Sequence, residues 1–322
     1  MKKLKWLTTV LLVASIALGI IGCSSPSDSG NGGVQQGGNS GEQTGGGTQN
    51  SVVPEGFALI PAGIFQMGSN VGYDDNKPVH EVTIIKPFYM GKYEVTQAEY
   101  EKYCSYGDVS PSAEYGDGDN YPAYYVSWYD AIVYCNKRSI AEGLTPCYII
   151  GGLTNPDTWG TVPSSDNSIW NDAICNFEAN GYRLPTEEEW EYAARAGDNT
   201  VDSLTYSGTN DVNELGKYAW HTSNSNNTAQ VVGTKLPNAF GLYDMSGNVW
   251  EWCWNWYTSS YNTTTEGDSE LTDSWAENTR VNRGGSYYYY DLSDYCAVSC
   301  RGYGKPFIGV SFCGIRVVRQ AN

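Results

Sequence analysis

Three helix starts, and only three, are plainly written into this chain, which limits how much helix it can hold. Thr96 with Glu99, Ser127 with Asp130, and Thr186 with Glu189 each place an N-cap hydroxyl three residues before a carboxylate. In that arrangement each side chain takes up a backbone N–H that a helix start leaves free. The first opens a short turn near Tyr100–Tyr103. The second predicts a helix to about Glu142, stopped by Gly143, and the third predicts Glu187–Arg195, stopped by Gly197. Between them, alternating runs at Glu81–Ile85 and Gly314–Val318 read as strands. The remaining chain, rich in its 37 Gly, reads as loop. The expected class is α+β, with few helices, short strands and many long loops.

The amino terminus reads as an export signal over residues 1–22. Lys2, Lys3 and Lys5 precede an apolar run from Trp6 to Ile21, too short for a stable membrane span. The run ends Ile20-Ile21-Gly22-Cys23, which looks like a bacterial lipobox and marks Cys23 for diacylglyceryl attachment and cleavage before it. Residues 23–51 are Gly, Ser, Asn, Gln and Thr with almost nothing apolar, so they behave as a flexible tether of roughly 30 Å mean reach. Ser24 carries no retention signal of the Asp type. The expected location is therefore the bacterial outer membrane, lipid-anchored, with an outward facing implied only by the resemblance to surface-displayed lipoproteins given below. Residues 52–322 are read as one folded domain.

Charge and composition remove several classes of function. Against 36 acidic residues stand 19 basic, a net charge of −17 that becomes −20 when Lys2, Lys3 and Lys5 leave with the signal. Phosphate backbones repel such a chain, so no nucleic-acid partner is expected. Two His residues, His80 and His221, are too few for a three-imidazole metal site. Eight Cys follow Cys23, at 104, 135, 147, 175, 253, 296, 300 and 313. Export permits disulfides among them and the even number permits full pairing, but free buried thiols are equally open.

Several segments, in order, resemble the formylglycine-generating-enzyme (sulfatase-modifying factor) domain. They include Ile60-Pro61-Ala62-Gly63, Tyr93-Glu94-Val95-Thr96, Arg183-Leu184-Pro185-Thr186-Glu187, Gly247-Asn248-Val249-Trp250-Glu251-Trp252, Arg283-Gly284-Gly285-Ser286 and Gly314-Ile315-Arg316. The resemblance implies a C-type-lectin-like fold elaborated with loops. It also implies a structural Ca²⁺ on the loop at Asp244, held by the carboxylates of Asp244 and Glu251 and the carbonyls of Gly247 and Val249, hard oxygen ligands of the kind this ion takes. The family's enzymes use a copper-binding Cys pair just after the Gly-Gly-Ser motif. Here those positions fall at about Tyr289 and Asp294, neither a Cys, so no copper and no catalysis are expected. A displaced pair at Cys296 and Cys300 is the alternative.

Residues 287–313 lie between two family-standard motifs yet lack the period of either a strand or a helix. Within them only Lys305 falls outside the amino acids reached when the adenines of an AAC codon are replaced. With the export signal and the lectin-like resemblance, this is similar to the variable lipoproteins of diversity-generating retroelements. The similarity implies a surface-displayed receptor whose ligand site is rediversified. It assigns Tyr288, Tyr290, Leu292, Asp294, Tyr295, Cys300, Gly302, Tyr303, Gly304, Phe307, Ile308, Ser311, Phe312 and Cys313 to that site, with Ala297, Val298, Ser299, Arg301 and Pro306 as scaffold and Tyr287 in the core. The expected partner is a protein or glycan on a host or neighbouring cell. Tyr offers large contact area for few lost torsions, as in antibody loops. Cys23→Ser is expected to abolish lipidation: fatty-acid labelling should vanish and the chain should leave the detergent phase.

Overall fold

The computed structural model describes residues 53–203, 205–261, 278–288 and 293–321, and of Ser293 only the backbone. The export signal, Cys23, the tether and the expected site residues Tyr290 and Leu292 lie outside them. No helix among the described residues is long and apolar enough to cross a membrane.

All three capping boxes form, with both reciprocal hydrogen bonds in each. They start α1 (Gln97–Glu101), α2 (Trp128–Ala141) and α4 (Glu187–Arg195). A fourth, single-turn helix, α3 (Ser168–Asn171), is set by Asn167, whose side chain accepts from the N–H groups of Ile169 and Trp170. Its four residues are too few to show a period, so the sequence did not announce it.

Eleven short strands complete the α+β architecture among the described residues. β1 (Phe57–Ile60) and β2 (Gly63–Met67) precede β3 (His80–Ile84) and β4 (Phe88–Gly91); β5 (Tyr148–Ile149) and β6 (Ile174–Cys175) follow α2. β7 (Trp250–Trp256), β8 (Arg280–Arg283), β9 (Arg301–Gly304), β10 (Cys313–Gly314) and β11 (Val318–Gln320) close the chain. One sheet has the order β1-β4-β11 and a second β10-β7-β8-β9, with β2-β3 and β5-β6 as separate pairs. In the second sheet β10 runs parallel to β7, and the other neighbours are antiparallel.

The run Gly314–Val318 is not one strand. Gly314 ends β10 in one sheet and Val318 begins β11 in the other. Arg316 causes the break: its buried guanidinium turns inward to Glu251 and donates to the carbonyls of Gly91 (2.8 Å) and Tyr243 (2.7 Å). β7 reads Trp-Glu-Trp-Cys-Trp-Asn-Trp and is buried at its start on both faces. The indoles around it find acceptors: Trp252 reaches the Val126 carbonyl, Trp128 the Cys253 carbonyl, and Trp190 a carboxylate oxygen of Glu251. Buried aromatic surface is thus gained without leaving an N–H unpaired.

A buried ionic network fastens α4 to β8 and β9. Arg283 pairs with Glu191 and donates to the carbonyls of Val298 (2.9 Å), Ser299 (2.9 Å) and Cys300 (2.8 Å). Glu191 also holds Arg195, and Glu187 holds Arg301 at 2.6 Å and 3.0 Å. Breaking such a pair leaves charge and carbonyls uncompensated in the interior. Arg283→Met is expected to cost about 3–5 kcal/mol in urea unfolding. Arg283→Lys should recover little of that, because one ammonium cannot reach four acceptors.

Candidate functional site

The described residues of 287–313 pair a buried frame with rings above it. Ala297, Val298, Ser299, Arg301 and Pro306 are buried. Tyr287 is also buried, with its hydroxyl donating to the Ser311 carbonyl at 3.1 Å. From the other side, the N–H groups of Tyr125 and Tyr129 donate to the carbonyls of Val310 and Pro306, pinning the loop that follows β9. Gly309 sits where a Cβ would meet the Tyr125 carbonyl oxygen at 2.4 Å, so that loop lies flat against the body.

On this frame the expected site residues fall into three groups. Tyr288, Tyr303 and Ile308 are 45%, 41% and 45% exposed. Asp294, Tyr295, Gly302, Gly304, Phe307, Ser311 and Phe312 are half-buried. Cys300 and Cys313 are each 1% exposed, and the structure corrects their assignment to a ligand-facing surface. Their small side chains point into the core: Cys300 beside the Arg283 anchor, and Cys313 in the β10 strand paired to β7. Gly302 and Gly304 face inward too. A Cβ at 304 would meet the Trp252 ring at 2.6 Å, and one at 302 the Asn282 side chain at 2.1 Å.

The exposed and half-buried rings form a belt of two stacks that meet over the buried Trp250. Tyr73 stacks on Tyr295 with centroids 5.7 Å apart, and Tyr295 meets Trp250 edge-on at 6.4 Å. The Trp250 N–H donates to the Phe312 carbonyl, and Phe312 stacks on Tyr288 at 5.8 Å. At one flank Tyr303 lies 4.4 Å from Tyr257, whose hydroxyl donates to Asp75. At the other, Tyr115 and Tyr125 pack with Phe312 against the buried Tyr124–Tyr287 cluster. Sequence reasoning missed Tyr73, Asp75, Tyr115, Tyr125 and Tyr257 because they lie far from the segment in the chain. The lone aromatic in the polar turn Gly72-Tyr73-Asp74-Asp75 was the available signal.

The eight thiols described are free, so no disulfide staples this region. Burial pushes the Cys296 thiol up to about 12 and raises that of Cys300 further. A buried, protonated thiol is a poor copper ligand and a poor nucleophile.

The loop at Asp244 brings the expected calcium residues onto one turn and the start of β7. Gly247 must be glycine: its φ is 83°, and a Cβ would meet the Trp220 carbonyl at 2.2 Å. One oxygen of Asp244 accepts from the Gly233 N–H at 2.7 Å, while the other is buried with no partner. Burial raises the Asp244 carboxyl to about 6. Glu94, also buried, holds the Val249 N–H and the Asn248 amide, and its carboxyl is pushed well up by burial and by Asp244 and Glu251. Glu251 is not free: Arg316 and Trp190 take up its oxygens. Among the described residues no three His, Cys, Asp or Glu side chains form a metal-holding group. On this turn the unpartnered oxygen of Asp244 is the one feature that a cation would satisfy, since Glu251 is already engaged by Arg316 and Trp190.

The sulfatase-modifying factor enzyme 1-like domain model matches residues 45–321. Chaperone protein LppX of Paenibacillus barcinonensis is 37% identical over 269 residues, 79% of this chain and 82% of that protein. The mouse formylglycine-generating enzyme is 28% identical over 287 residues, 80% of this chain and 73% of the enzyme. Among solved structures, Treponema denticola variable protein 1 superposes with a TM-score of 0.66 at 36% identity, covering 82% of this chain and 95% of that one. A thiol reagent at pH 8 is expected to leave Cys296, Cys300 and Cys313 unmodified in the folded chain and to label all three in urea, as read by mass spectrometry.

Proposed function

The chain belongs to the sulfatase-modifying factor enzyme 1-like family, and from that premise we propose that it is a lipid-anchored binding protein, displayed on the outer membrane, whose C-terminal segment is a diversified ligand site. The carrying observation is the division among the described residues of this segment: Tyr288, Tyr303 and Ile308 stand exposed, while Cys296, Ala297, Val298, Ser299, Cys300 and Arg301 are buried, with the carbonyls of 298–300 held by Arg283. Exposed large apolar and aromatic side chains grouped on one surface mark an interaction site. The likeness to a variable protein supports the reading, and so does the absence of Cys from the family's copper positions at Tyr289 and Asp294. The family includes enzymes, and the alternative oxidase would use Cys296 and Cys300, whose burial speaks against it.

The test is binding of the fluorescent chain to arrays of glycans and cell-surface proteins. Specific signals should fall at least about tenfold in Tyr288→Ala and Ile308→Ser, with unfolding temperature unchanged. Signals untouched by both substitutions would defeat the proposal, as would Cu(I)-dependent oxidation of a Cys peptide that disappears in Cys296→Ala. A second reading, that the same surface takes client proteins, is favoured by the likeness to a protein named as a chaperone. Suppression of aggregation of an unfolded test protein, lost in Tyr288→Ala, would select it.

We further propose that Asp244, with the carbonyls of Gly247 and Val249 and part of Glu251, holds a Ca²⁺ that stiffens this turn. Without a cation the folded Asp244 carboxyl, raised to about 6, stabilises the fold only while protonated, and that contribution is lost as pH rises through 6. At pH 7.5, Ca²⁺ should raise the unfolding temperature by several degrees over EGTA, and Asp244→Asn should abolish most of the difference. No calcium effect in the unaltered chain would remove the site.

A further inference from the structure

We propose that the aromatic belt takes a cationic, Lys- and Arg-rich protein segment, an inference that rests on its being a ligand surface. Three observations converge on that chemistry. The belt presents ring faces and edges of Tyr73, Tyr295, Tyr288 and Tyr303, and a ring's negative face attracts ammonium and guanidinium groups. Carboxylates stand along both of its edges. The turn carrying Tyr73 brings Asp74 and Asp75, with Asp75 held at 2.8 Å by the Tyr257 hydroxyl next to Tyr303. The loop carrying Tyr115 brings Glu114, Asp117 and Asp119, all exposed. Asp294 lies within the belt itself, beside Tyr295.

Opposing charge is scarce there. No Lys or Arg occurs from 103 to 136 or from 284 to 300, the stretches that carry Tyr115, Tyr125, Tyr288 and Tyr295. Lys77 is held by Asp74 at 3.0 Å. Arg283 and Arg301 are buried and committed to Glu191 and Glu187, so they add no positive charge to the outer face. Lys305, half-buried after β9, is the one basic side chain of the segment itself. Anionic lipid headgroups and nucleic acids meet repulsion on every approach to such a rim, whereas a basic peptide gains attraction from the carboxylates and then contact with the rings. The carboxylates at 74, 75, 114, 117 and 119 belong to loops outside residues 287–313. They would bias every version of the diversified segment toward partners of one sign.

The test uses the full mature chain and three synthetic peptides of equal length: one of Lys, Arg, Gly and Ser, one with Glu in place of the basic residues, and one uncharged with Leu. The basic peptide should bind, and its affinity should fall as salt rises from about 50 to about 300 mM. The triple variant Asp74→Asn, Glu114→Gln, Asp117→Asn should weaken it roughly tenfold. A control variant neutralising Asp157, Glu178 and Asp211 should leave it within about twofold. Equal loss in both variants, or no binding of the basic peptide, overturns the inference. Preference for the acidic or uncharged peptide also overturns it. If that binding is lost in Tyr288→Ala and Ile308→Ser, the surface is a ligand site of another chemistry; if those variants bind unchanged, the ligand-surface reading falls with it.

Discussion

Everything on the outer face depends on a positive charge placed where water cannot reach it. Arg283, at the end of β8, is wholly buried, neutralised by Glu191 of α4, and its two terminal nitrogens donate to three successive carbonyls at Val298, Ser299 and Cys300. A guanidinium in the interior is costly unless it is paired and hydrogen-bonded, so these bonds hold the chain at 298–300 where its carbonyls meet the charge. Arg301 repeats the device one residue later, tied to Glu187 and to the carbonyls of Asp75 and Thr258. Four charged groups of α4, β8 and β9 (Glu187, Glu191, Arg283 and Arg301) thereby fix a backbone path independently of the side chains that path displays.

That separation of roles explains how one segment can carry both core and surface. Among the described residues of the segment, Cys296–Arg301 turn inward, while Tyr288 and Tyr303 turn outward, the first stacked on Phe312 and the second tilted against Tyr257. The Tyr288–Phe312 and Tyr73–Tyr295 stacks contribute their contact energy at the surface, so exchanging these rings would leave the ionic core unchanged. The two glycines of β9 mark the limit of this freedom. A side chain at 304 must move the buried Trp252 indole, and one at 302 must move Asn282.

Much of the fold was legible where a local rule decides the structure. The capping boxes at Thr96, Ser127 and Thr186 needed only residues three apart, and all three helices begin where those pairs place them. The segment Gly314–Val318 was misread because its alternation is that of a strand, whereas Arg316 is drawn inward by Glu251, a partner 65 residues away. The site was legible as a stretch of chain and not as a surface. Tyr288, Tyr303 and Ile308 could be named through the resemblance to variable lipoproteins, while Cys300 and Cys313 could not be told from them without knowing which way each strand faces. Tyr73, Tyr115 and Tyr257 entered only through folding, since nothing in the local sequence links them to residues 287–313.

The central claim is that the rings of the C-terminal segment face outward on a frame that does not need them. Saturation substitution of residues 283–316, read as the fraction of each variant displayed in folded form on cells, tests this most directly. The account predicts wide tolerance at Tyr288, Tyr303 and Ile308 alongside near-complete intolerance at Arg283, Arg301 and Arg316. Intolerance at those three outward positions equal to that at the arginines would show the rings to be core and would contradict it.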